Sequence, residues 1–258
     1  MPTPVGQEPG WVRPSNEKSE AAARELIALV EARLPQRFYG GESYWRFYGA
    51  AMIMRMADTV EAMLALMHAD YPVDGLILLR ALYEEVVGYL WVSVNPEVNF
   101  PRWIEGARAW ELKMHEDATD YGMQILDEQE RSLAAGARML PSLANRAADV
   151  DEHWGGRLIG FRPPSSAQEG ILTFRGLYVA IYRFASRTAH GQPDSLTPYA
   201  DSQAYPACVS RSEPAPDSIW WPLAVPLYAH ALLVCHDHLG WPDPDRVRAI
   251  NDAMYEQG

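Results

Sequence analysis

The chain has 258 residues, of which 48% are hydrophobic and 11% aromatic, with a formal net charge of -12 and a pI near 5.0. That length suits one sizeable core or two small ones, and the composition excludes a disordered or low-complexity chain. The acidic balance excludes non-specific attraction along nucleic acid, which needs clustered Lys and Arg, yet it leaves room for a small basic pocket.

Residues 1–16 are rich in Pro, Gly and polar side chains and read as a flexible arm. A first helix is predicted from about Glu17 to Leu34, with Leu26, Ile27, Leu29, Val30 and Leu34 forming its apolar stripe. Gly40 and Gly41 mark a turn, and Ser43 is placed to cap a second helix running to about Asp70. Met52, Met54, Met56, Met63 and Met67 lie along it, as core filler or as the lining of an adaptable pocket. The axis of the molecule is the stretch from Asp74 to Val94, apolar on nearly every side and therefore covered by other helices. Arg80 and Glu84 interrupt it, four residues apart and on one face. Arg precedes Glu, the weaker order for an exposed pair. Two readings stand: a buried ion pair that fixes helix register, or two members of a functional pocket.

Asn95-Pro96 breaks the axial helix, and Asn99 is placed to cap the next, from Phe100 to about Tyr121. Glu111 and His115 are four apart there, but no second such pair accompanies them, which favours a solvated face over a metal site. A helical stretch from Gln124 is disturbed by Gly136 and Pro141, and a short helix resumes before Asp151. His153 to Arg157 reads as a turn anchored by Trp154, and Pro163-Pro164 prevents helix. Ser166 to Glu169 has capping-box spacing and is predicted to open a helix that stops at His190, before Gly191 and Pro193. About 192–217 is a long loop. Ile219 to Cys235 is predicted to be a buried, Pro-kinked helix, too short for a comfortable membrane span. Asp243-Pro244 starts a last short helix. Cys208 and Cys235 form neither a disulfide framework nor a zinc cluster, and no signal peptide is visible, so a cytoplasmic setting is expected.

The stretch richest in chemistry is Tyr178 to His190. Tyr182, Ser186 and His190 follow at four-residue spacing and share a face, and Arg183 precedes His190 by seven. Arg187 flanks them. A His at a helix C-terminus beside two Arg and a hydroxyl suits phosphate binding and proton transfer, or it is a cap bonded to the loop. Ser186 with His190 lacks a third group and a nucleophile elbow, which argues against a hydrolase. His236 and His238 are two apart and point away from each other on a helix, which argues against a metal chelate.

Three segments together resemble a widespread bacterial all-helical family of unknown function: Leu79 to Glu84, Trp154 to Arg157, and Tyr182-x3-Ser186-x3-His190-Gly191. The likeness spans roughly residues 45–200. It implies an α-helical fold in which these residues converge on one site. A more distant resemblance is to HEPN domains, helical and often metal-independent ribonucleases whose signature is an Arg followed by a His near a helix end. It implies His190 as general acid/base and Arg183 as phosphate binder, often across a dimer.

The expectation is a single all-α domain over 17–258, a helical bundle around 74–94. Its polar site holds Arg80, Glu84, Tyr182, Ser186, Arg187, Arg183 and His190, with neither metal nor cofactor. The leading function is a HEPN-like metal-independent ribonuclease or toxin of a defence or stress system. The alternatives are a non-catalytic helical binder of a small anionic molecule or nucleotide, and a structural, oligomerising protein. The expected partners are RNA or a small anion, and a second copy through Trp220 and Trp221, but no membrane.

Overall fold

The axial helix begins at Pro72, two residues earlier than the sequence pattern places it. Pro tolerates the first turn because its missing N–H needs no partner there. The fold comes from a computed structural model, which describes residues 15–33, 44–69, 71–154, 173–189, 200–201, 208–209 and 221–255. It is all-α. The helices are α1 (Asn16–Glu31), α2 (Tyr44–His68), α3 (Pro72–Val94), α4 (Pro96–Thr119), α5 (Glu128–Ala134) and α6 (Leu143–Trp154). There follow α7 (Phe174–Leu177), a π-helical turn (Tyr178–Arg183) and α8 (Phe184–Ala189). After them come α9 (Trp221–Leu239) and α10 (Pro244–Ala253). Within the stretch expected to be loop, Ala200–Asp201 (β1) pairs antiparallel with Cys208–Val209 (β2).

α3 packs against α2, α4, α6, α8, α9 and the π turn. Its apolar residues are correspondingly buried around the whole circumference: Leu79, Leu82, Tyr83, Val86, Val87, Tyr89, Leu90, Trp91 and Val92 are sealed from solvent. Each such side chain contributes about 1.5–3 kcal/mol of burial. Met56 and Met63 are core, whereas Met52 is only partly buried.

Polar bonds from α3 fix its neighbours. The Tyr83 hydroxyl donates to the Phe174 carbonyl at 2.6 Å, and Trp91 Nε1 donates to Asp149 Oδ2 of α6 at 3.0 Å. Only Asn95 separates α3 from α4. Asn99 does not cap α4, which starts at Pro96. It is buried, and its Nδ2 donates to the Trp91 carbonyl at 2.8 Å, satisfying a C-terminal carbonyl of α3 instead.

The helix expected from Gln124 starts at Glu128, because Asp127 and Glu130 form a reciprocal capping box at that point. α7 is capped at Thr173, whose Oγ1 accepts from Gly176 N at 2.9 Å. Asp151 of α6 adds a second acceptor pair for the N–H groups of Phe174 and Arg175, at 2.7 and 2.9 Å. The arm 1–14, the turn at Gly40-Gly41, Ser43, the 155–172 segment with its expected cap at Ser166, and His190 lie outside the described residues. Among the described residues, no helix is long and apolar enough to cross a membrane.

Candidate functional site

The side chains at Arg80 and Glu84 meet as their spacing dictates, with Arg80 Nε donating to Glu84 Oε1 at 3.0 Å. Arg80 keeps 22% of its side chain exposed and Glu84 42%, so the pair opens to solvent rather than locking a dry core. Tyr182, from the π turn, joins them. Arg80 Nη2 donates to its hydroxyl at 3.3 Å, and the guanidinium carbon lies 4.7 Å from its ring centroid. Tyr178 stacks on Tyr182 with centroids 5.0 Å apart.

One buried stripe runs through this segment, Phe174 and Leu177 of α7, Ile181 of the π turn and Ala185 of α8, and the π turn and α8 pack against α3. Tyr178, Tyr182 and Ser186 are half-buried, and Arg183 points outward and is exposed. The structure thus joins Arg80, Glu84 and Tyr182, while among the described residues no bond links Ser186 or Arg183 to them. Arg187 falls within α8, and His190 lies outside the described residues.

On the other side of Glu84 a cavity of about 440 Å³ opens between α2, α3, α4 and α6. Its charged lining is Arg55, Glu84, Glu85 and Arg146, and its aromatic wall is Tyr48 and Trp103. Ala51, Met52 and Leu140 complete it, and Gly88 forms part of the floor. Leu140 reaches the cavity because Gly106 on α4 has no side chain. A Cβ there would overlap the Leu140 side chain.

Glu85 is held by Arg55 Nε at 2.6 Å and Thr59 Oγ1 at 3.2 Å. Burial pushes its carboxyl above the usual range, and the bonds to Arg55 and Thr59 oppose that rise. Arg146 is different. Its Nε donates to the Pro141 carbonyl at 3.2 Å, but its guanidinium has no carboxylate within 4 Å among the described residues. Burial draws its pKa below the usual value, opposed by the charge of Glu84 nearby. A largely buried guanidinium whose fork has no partner among the described residues, beside a cavity, is equipped to hold an anion.

Sequence reasoning passed over Arg146, Glu85 and Arg55. The signal for Arg146 was its place on α6, three residues after Leu143 and four before Val150, which puts it on that helix's apolar stripe.

His115 is a loop anchor. Its Nδ1 accepts from the backbone N–H groups of Ile125 and Leu126 at 3.2 and 3.0 Å, whereas Glu111 is exposed. Among the described residues no group of three or more His, Cys, Asp or Glu is placed to hold a metal ion. Trp220 lies outside the described residues.

A family model described as "Family of unknown function (DUF5677)" matches residues 46–204. No curated protein and no solved structure matches the chain.

Proposed function

The chain belongs to that family of unknown function, and from this premise we propose that it is a helical binder of a small anionic molecule. The observation that carries the reading is Arg146: a guanidinium, largely buried, whose fork has no partner among the described residues, in a cavity whose other charges are matched among them. Glu85 faces Arg55, and Glu84 faces Arg80, so Arg146 is the cation of this set left over. The cavity volume falls within the range of small-molecule sites, and its lining is mostly apolar with a few polar groups. The test is ligand-induced stabilisation of the wild type and of Arg146→Gln across a panel of small anions. Stabilisation of the wild type alone is the expected result, and no change in either protein overturns the proposal.

A second reading is the HEPN-like, metal-independent ribonuclease, with His190 as acid/base and Arg183 and Arg187 on the phosphate. What favours it is the exposure of Arg183 at the end of a π turn, a feature frequent at functional sites. An RNA-cleavage assay in chelator decides it. Activity lost in His190→Ala and Arg183→Ala supports it, and no cleavage by the wild type ends it.

We also take 17–258 as one domain. The support is a buried cluster drawing residues from α1, α2, α3, α6, α7, α8, α9 and α10.

A further inference from the structure

The cavity beside Arg146 has a charge balance and a shape that narrow its occupant. We propose that the ligand is a monocarboxylate with an apolar or aromatic body, and not a nucleotide or other phosphomonoester; this rests on the binder reading given above. Two guanidiniums, Arg55 and Arg146, and two carboxylates, Glu84 and Glu85, line the cavity, and a third guanidinium, Arg80, outside its lining, is paired with Glu84. One negative charge balances the set. A phosphomonoester carries about -1.5 to -2 near neutrality and would leave the excess facing two carboxylates in a partly desolvated site.

The geometry of Arg146 agrees. Its Nε is committed to the Pro141 carbonyl, which leaves the two Nη groups as an end-on fork. Nη1 lies 3.6 Å from where a Cβ on Gly88 would stand, and Met52 Cε lies 3.9 Å from the same point. Nη1 therefore stands beside the bare helix backbone of Gly88, and the terminal methyl of Met52 lies near the same point. A flat carboxylate fits that gap, and its apolar body then runs along Ala51, Met52 and Leu140. Tyr48 and Trp103 meet at 68° with centroids 6.2 Å apart, edge to face. They form an angled wall and offer no parallel slot for a nucleobase.

Gly88 is accordingly the specificity-determining position. A methyl group there makes only ordinary van der Waals contacts, so Gly88→Ala folds, but the methyl occupies the space the carboxylate needs.

The experiment is isothermal titration of the full chain with three matched compounds: 3-phenylpropionate, 3-phenylpropionamide and phenyl phosphate, with AMP as a nucleotide. The expected result is that the carboxylate binds at least about tenfold tighter than the amide, the phosphate and AMP. That preference should be lost in Arg146→Gln and weakened in Gly88→Ala, with melting temperatures confirming that both fold. Tighter binding of phenyl phosphate or AMP, still dependent on Arg146, overturns the carboxylate assignment and leaves the binder reading standing. Equal carboxylate binding by Gly88→Ala and wild type overturns the role of Gly88. No binding by any compound, or binding indifferent to Arg146→Gln, overturns this inference, and the second of these outcomes also removes Arg146 from the binder reading.

Discussion

Arg80 of α3 lies over the ring of Tyr182, 102 residues later in the chain, with its guanidinium carbon 4.7 Å from the centroid and its Nη2 3.3 Å from the hydroxyl. The first contact is a cation over an aromatic face and the second a long hydrogen bond, so two substitutions separate them. Tyr182→Phe keeps the ring and should cost well under 1 kcal/mol, roughly the low end for a net hydrogen bond. Tyr182→Ala removes the ring and should cost more, about 1–2 kcal/mol, including its packing on Tyr178. A double-mutant cycle with Arg80→Ala in urea denaturation measures the coupling. A coupling indistinguishable from zero would mean that the two side chains are merely neighbours.

His230 makes the fold acid-sensitive. It is buried in α9 against Phe174, and burial pulls its pKa from 6.5 down to about 4. In the unfolded chain the ring protonates near its ordinary value, so as pH falls from about 6.5 towards 4 the unfolded state takes up the proton first. Stability is complete above that window and is lost within it. The whole loss is about 3 kcal/mol, since a pKa difference of one between the two states is worth roughly 1.36 kcal/mol. Urea midpoints for the wild type should fall across this range, and those of His230→Leu should fall less steeply. Parallel profiles for the two proteins would assign the acid sensitivity to other groups.

His115 holds the turn after α4 with one ring nitrogen that accepts two backbone N–H groups. That nitrogen must be unprotonated, so the proton of the neutral ring sits on Nε2. His115→Ala leaves the amides of Ile125 and Leu126 without their acceptor, at about 1–3 kcal/mol for the buried amide of Leu126. Hydrogen exchange should accelerate at those two amides more than elsewhere in the turn. Unchanged protection there would contradict the anchor role.

Gly106→Ala should reshape the cavity from a distance. The added methyl overlaps Leu140, which must swing off α4, and overpacking of this kind costs about 1–3 kcal/mol. Since Leu140 lines the cavity, affinity for the carboxylate proposed above should fall with stability. Unchanged affinity in a protein of lower melting temperature would show that Leu140 makes no contact with the proposed carboxylate.

How far the sequence reaches can be seen at particular residues. The burial of α3 on all sides was legible because its apolar residues leave no solvated face. The meeting of Arg80 with Glu84 followed from helical spacing alone, and that of Arg80 with Tyr182 from the resemblance across distant segments. Arg146 was not legible in the same way. It sits among Asn145, Ala148 and Asp149 in a short helix that reads as solvated, and only its phase relative to Leu143 and Val150 betrays it. Glu85 was masked by Glu84 beside it, since adjacent helical residues point apart and only the packing of α2 shows where each one goes. The cap at Asn99 was misplaced because an Asn near a helix start bonds equally well to its own helix or to the one before. The choice fell to Trp91, whose carbonyl is buried beside it.

The single residue between α3 and α4 acts as a gauge for the cavity. Gly88 and Glu84 belong to the first of these helices and Trp103 to the second, so floor and wall are spaced by a corner with no slack. One residue inserted at Asn95 would turn α4 by about 100° about its own axis and advance it by about 1.5 Å. Trp103 would then leave the cavity and Gly106 would face away from Leu140. The corner should therefore tolerate substitution but not insertion, and chains that share this cavity should share the length of that corner whatever residue occupies it.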